Sequence, residues 1–168
     1  RGLHAHFSRL KGKDVRISRC YRGVQFQESE VTLSGLSVSA SSSALRCRDS
    51  DVRIDGFRVD GTVSGVNFFR SRVALRDVSI DRSGWYGFRF RESRVAWEGG
   101  EVARTLVGLS VQEGPVRLDA VRVDHAGLAA VAVQDGDVTL TGCRLDGSSL
   151  DGLAATRGSV TVSGGEIR

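Results

Sequence analysis

The chain has 168 residues, a formal net charge of +4 and 40% hydrophobic residues, enough for one domain with its own core. No apolar run approaches the length of a membrane-spanning helix, and the mild positive charge permits contact with polyanions without requiring it. Glycine is abundant at 21 residues and proline occurs once, a balance that points to many turns joined by strands.

In chain order, a small residue followed by an apolar one opens each of eight units. They begin at Gly2-Leu3, Gly23-Val24, Ala44-Leu45, Gly65-Val66, Gly87-Phe88, Gly108-Leu109, Ala130-Val131 and Gly152-Leu153, with spacings of 21, 21, 21, 22, 21, 22 and 22 residues. Repetition at such a period is the mark of a solenoid. The units leave no room for a second domain, so 1–168 reads as one domain. The chain contains no Met, and it is expected to be a piece of a longer protein with flanking domains.

Each unit holds three short stretches that alternate apolar and polar residues, the period of strands. The first is Val24-Gln25-Phe26 or Phe88-Arg89-Phe90, the second Val31-Thr32-Leu33, the third Leu36-Ser37-Val38. Stacked by unit, one inward column reads Leu10, Val31, Val52, Val73, Val95, Val116, Val138, Val160. Another reads Ile17, Val38, Val59, Ile80, Val102, Val123, Leu145, Ile167. Between the first and second strands runs a column of Ser8, Ser29, Ser50, Ser71 and Ser93, then Gly114, Gly136 and Gly158. Between the second and third strands recur Gly35, Gly56, Asp77, Gly99, Gly142 and Gly164, residues suited to tight corners. The third corner carries the length variation, as in Asp60 to Ser64 and Asp81 to Tyr86.

Three strands in about 21 residues cannot bury a layer alone, so each coil must stack on the next, about 4.8 Å away. This predicts an all-β, right-handed, single-stranded parallel β-helix of three sheets and about eight coils. Here the sequence resembles the pectate-lyase-like right-handed β-helix superfamily, through the unit length, the glycine-rich second corner and the longer third corner. The superfamily holds polysaccharide lyases, hydrolases, epimerases, phage tailspikes and non-enzymatic surface proteins, so the fold does not name a reaction. The resemblance leans towards a secreted or cell-envelope setting.

Cys47 falls in an inward column with Phe26 and Phe68, Cys143 in one with Phe57, Val78 and Val121, and Cys20 with Ser41, Thr62, Ser83 and Ser148. These are positions for small core thiols, not for a disulfide or a metal site. His4 and His6 share one outward face without a third ligand.

The outer face of the first sheet reads His4, Gln25, Arg46, Asn67, Arg89, Ser110, Ala132, Ala154 in one column. The next column reads His6, Gln27, Arg48, Phe69, Arg91, Gln112, Gln134, Thr156. Neither holds an Asp or Glu; carboxylates flank the face as Glu28, Asp49, Glu92, Glu113 and Asp135. Glycoside hydrolysis needs two carboxylates at the bond, and the calcium-dependent elimination that the resemblance implies needs a carboxylate nest. No catalytic residue, metal or cofactor is therefore expected. The expected ligand-binding residues are Arg46, Arg48, Asn67, Phe69, Arg89 and Arg91, whose guanidiniums suit carboxylate or sulfate and whose ring suits stacking. The expected partner is an acidic polysaccharide or a protein, not nucleic acid, since no aromatic-studded basic motif occurs.

Two signals lie in the third corner. Asp60, Asp81, Asp124 and Asp146 form a column broken by Ala103, to be neutralised by calcium or, more simply, by Arg82 and Arg104. Trp85, Val107, Leu128 and Leu150 form an apolar stripe beside Tyr86, read first as core and otherwise as a partner site. The leading function is a non-catalytic scaffold or interaction module that binds acidic polysaccharide. The alternatives are a lyase or hydrolase with catalytic groups from the long corners, and a structural spacer or end-to-end assembling element.

Overall fold

The computed structural model describes residues 2–168, an all-β, right-handed parallel β-solenoid of about eight turns. β1 (Leu3–His6), β3 (Arg22–Gln27), β5 (Ser43–Arg48), β7 (Ser64–Phe69) and β9 (Tyr86–Arg91) stack in parallel as the first sheet. β2 (Arg9–Ser18), β4 (Glu30–Ser39), β6 (Asp51–Thr62) and β8 (Arg72–Ser83) each carry the second and third strands of a coil through the second corner. From Arg94 the pairing runs on without a break as β10 (Arg94–Thr141), followed by β11 (Arg144–Asp146), β12 (Asp151–Ser163) and β13 (Glu166–Ile167). The ladder joins Leu10 to Val31, Val31 to Val52, Val52 to Val73 and Val73 to Val95, so the expected inward column is one physical stack.

The corners bend without leaving the ladder because single residues adopt left-handed backbone. At the second corner these are Asp14, Gly35, Gly56, Asp77, Gly99, Ala120, Gly142 and Gly164, with φ between 48° and 71°. At the first corner the bending position itself is never glycine; Phe7, Glu28, Asp49, Arg70, Glu92, Glu113, Asp135 and Arg157 take φ of 45° to 60°. An L-residue there costs about 1–2 kcal/mol. Each bend keeps its place in the ladder: the Asp49 amide donates to the Phe69 carbonyl at 3.0 Å and the Glu92 amide to that of Gln112 at 2.8 Å.

The serine column is a second ladder beside this one. The Ser50 hydroxyl donates to the Arg48 carbonyl (2.7 Å) and accepts from the Ser29 amide (3.2 Å); Ser71 and Ser93 repeat the pattern one coil on. Where the column changes to glycine, a side chain has no room: a Cβ on Gly114 would lie 2.5 Å from the Ser93 carbonyl oxygen. The small residue that opens each unit has a similar cause. A Cβ on Gly87 would meet the Val102 side chain of the third sheet at 2.3 Å.

Apolar columns of all three sheets fill the interior. Phe68, Phe88 and Phe90 stack with ring centroids 5.4 to 6.4 Å apart, and Trp97 leans on Phe88 at 4.6 Å. The Trp97 indole N–H donates to the Gly99 carbonyl (2.7 Å), which satisfies its one polar group. Cys47 lies between Phe26 and Phe68 in the ladder and is buried, as is Cys143. Burial raises both thiols above their ordinary pKa, Cys47 well above.

Candidate functional site

Strand alternation sends Phe26, Cys47, Phe68 and Phe90 inward, and so sends the residues between them out. The register then fixes two outer rows. Gln25, Arg46, Asn67 and Arg89 are laddered partners, as are Gln27, Arg48, Phe69 and Arg91. The six expected ligand-binding residues therefore lie in one window of β5, β7 and β9, two arginines in each row on either side of Asn67 or Phe69.

Within the window the side chains are partly engaged with each other. Three guanidiniums surround the half-buried Phe69 ring, those of Arg70 at 4.6 Å, Arg91 at 5.2 Å and Arg48 at 5.6 Å from its centroid. Asp49 ties two of them together, through Arg70 Nε (2.8 Å) and Arg48 Nε (3.1 Å). The hydrogen bond from Arg70, supported by Arg48, holds the Asp49 carboxyl below its ordinary pKa. Arg89 lies over the Tyr86 ring at 5.4 Å and donates through Nη2 to Gln112 Oε1 at 3.0 Å. Its Nε is buried without a partner. Arg46 is exposed and forms no ion pair among the described residues.

Arg70 is the member that sequence reading missed. It occupies the left-handed corner position that Glu28, Asp49 and Glu92 fill in neighbouring coils. That bend carries its side chain back over the Phe69 ring. The available signal was charge: Arg70 interrupts a run of acids in the column that flanks the sheet. Past the window that column is acidic again, where Glu92, Glu113 and Asp135 surround a pocket of about 200 Å³ with Arg91.

The third-corner aspartates are held as the simpler expectation had it. Arg82 binds Asp60 at 2.6 Å, and Arg104 is bonded to Asp81. Asp60, Asp81 and Ala103 are laddered neighbours at the end of the third strands. Asp124 pairs with Arg122 (2.8 Å) and with His125 Nδ1 (2.7 Å), and Asp146 with Arg144 (2.9 Å). At the far end of the first sheet, His6 faces Glu28 across 4.0 Å.

The apolar stripe is a correction. It does not turn inward: Trp85 is 58%, Leu128 41% and Leu150 71% exposed. The interior beneath it is already closed by the Gly/Ala column against the third-sheet valines, which leaves no space for a large side chain. Its register differs as well. Val107 pairs with Tyr86, so Leu106 stands beside Trp85. The opening glycines are 22 residues apart from Gly65 to Gly87 and 21 apart from Gly87 to Gly108, and the slip falls in this corner.

No family model matches the chain, and no curated protein matches it. Among solved structures, a double mutant of the periplasmic alginate epimerase AlgG is similar at 12% identity with a TM-score of 0.32. The match covers 94% of this chain and 50% of that one, so the chain spans about half the length of that structure.

Proposed function

We propose that this β-helix is a non-catalytic module of the pectate-lyase-like kind whose first sheet binds acidic polysaccharide laid along the coil axis. The observation that carries the reading is the window itself: Arg46, Arg48, Arg89 and Arg91 in two registered rows around Asn67 and Phe69, with no carboxylate on the face. Guanidiniums in register can bind acid groups of a polymer through paired hydrogen bonds. Asn67 supplies amide contacts to hydroxyls, and the Phe69 ring a stacking surface once Arg48 or Arg91 swings to a ligand. A catalytic reading has less support. Asp49 is bound by two arginines, and Asp60 and Asp81 are ion-paired at the third corner. Among the described residues the remaining carboxylates beside the first sheet, such as Glu92 and Glu113, lie in its flanking corner column and not on the face, whereas hydrolysis needs a pair set across one bond.

Calorimetric titration with polygalacturonate, polymannuronate and matched neutral glycans tests the proposal, with ultraviolet absorbance followed for unsaturated product. Binding of acidic glycans only, weakened by salt and without product, is expected. Arg48→Ala combined with Arg91→Ala should weaken it by roughly tenfold or more, the loss of at least one charge-assisted contact. Product formation would favour a lyase, and no binding of any acidic glycan would leave a structural spacer.

A further inference from the structure

A groove of about 800 Å³ runs along the coil axis on the outer face of the second sheet, remote from the window on the first. Its volume lies in the range of small-molecule sites. The groove has a plain cause in the sequence. Along one outward row, Arg53, Ala74 and Ala96 are laddered partners, and Arg117 lines the groove one coil further on. Two methyl groups make a low shelf between two long side chains. The next row supplies a wall, in which Arg76 is closed by Glu98 at 2.9 Å.

The two ends differ from the wall in one respect. Asp51, the nearest acid before Arg53, is taken by Arg72 at 3.5 Å. Among the described residues neither Arg53 nor Arg117 forms an ion pair. Asp55 and Asp119 also line the groove, but in its wall, two residues further along the same strands in the row of Arg76 and Glu98. The row over the shelf therefore carries only positive charge, at two points three coil steps apart, about 14 Å at the spacing of parallel strands. A neutral ligand would use neither guanidinium and a single anion only one. A molecule with an apolar body and an acid at each end would use both ends and the shelf.

We propose that this groove binds an elongated α,ω-diacid, lying along the coil axis with its apolar chain on Ala74 and Ala96 and its carboxylates on Arg53 and Arg117. Recognition is by length: the acids must reach both guanidiniums while the chain between them stays on the methyl shelf. The site is independent of the first sheet, and its ligand is a small amphiphile and not a polymer.

The test is a calorimetric titration of the whole chain with straight-chain dicarboxylates from succinate to hexadecanedioate, and with monocarboxylates of the same lengths. Affinity is expected to peak at one intermediate diacid length and to fall on either side. Arg53→Gln and Arg117→Gln should each weaken that diacid roughly tenfold, to the level of the monoacid. Ala96→Glu, which puts a carboxylate on the shelf, should abolish binding. All three positions are exposed, and an unchanged thermal melt would show that the fold persists. Arg48→Ala with Arg91→Ala should leave diacid binding as it is. Three results would overturn the proposal: monoacids binding as tightly as diacids, affinity rising with chain length without an optimum, or affinity unmoved by either arginine variant.

Discussion

At the residue scale, the chain tempers the stacking of like on like with ion pairs from coil to coil. Like charges do stand in register about 4.8 Å apart, as Asp60 with Asp81 and Arg122 with Arg144. Against that repulsion Arg70 reaches back to Asp49, Arg82 to Asp60, Arg104 to Asp81 and Arg157 to Asp135, each from a left-handed corner position. Arginine hydrogen bonds pull Asp49, Asp81 and Asp146 below the ordinary carboxyl value of 3.8. In each case the folded pKa is lower than the unfolded one, so the contribution to stability is complete above the unfolded value. It is lost as pH falls through the folded value. The melting temperature should therefore hold from neutral pH to about pH 5 and drop below 3.8. Asp81→Asn should melt lower than the parent at neutral pH and show a shallower acid slope. An identical acid slope in both proteins would mean that these pairs do not couple to folding.

At the element scale, the strands rest on two kinds of repeated corner, and only one of them announces itself. The second corner is written in glycine, and Gly35, Gly56 and Gly99 take the left-handed φ that their column predicts. The first corner is just as left-handed but is built from Glu28, Asp49, Arg70 and Glu92, residues with no such signature. What marks it is the serine that follows, whose hydroxyl replaces a backbone partner on the coil below. Ser71→Ala would leave the buried Ser50 amide without its acceptor and the Phe69 carbonyl with the Asp49 amide as its remaining donor. A destabilisation of about 1–3 kcal/mol is expected, read by denaturant unfolding. Gly100→Ala should cost more than Ser71→Ala, because its Cβ would lie 2.0 Å from the Val78 carbonyl oxygen at a φ of 125°. If Gly100→Ala were the milder of the two, the ladder could shift there and the glycine would have another cause. Columns were legible because alternation and period act on every coil at once. Single corners were not, because Arg70 over Phe69 and the slip that pairs Val107 with Tyr86 depend on one bend each. The expected window on the first sheet came from column reading and its register holds. The groove on the second sheet depends on what Ala74 and Ala96 lack, which an inventory of reactive residues passes over.

At the scale of the molecule, the three sheets share one core and present separate outer faces, so a ligand on one face need not disturb another. The core itself is uneven along the axis. Phe68, Phe88, Phe90 and Trp97 lie together in two adjacent coils, with the buried Phe26 and Phe57 singly in the two coils before them. Towards either end of this chain the inward residues are smaller and less covered, with Leu3, Val15 and Leu153 only partly buried and Ile167 47% exposed. In a solenoid each coil bonds only to its neighbours, so stability adds along the axis and a weak coil divides it. Trp97→Ala should cost about 3–5 kcal/mol, the usual loss for a large aromatic removed from a close-packed interior. Hydrogen exchange would locate that loss. In the parent, amides of β7 to β9 should exchange last and those of β1 and β13 first. In the variant, protection should fall most in β8, β9 and the start of β10, while β1 to β4 keep much of theirs as a residual stack. Trp85, which is exposed in the folded chain, would then be the only tryptophan left and its emission should change little on unfolding. A uniform rise in exchange along all eight coils would instead show that the solenoid opens as one cooperative unit, with the aromatic cluster no more than its heaviest part.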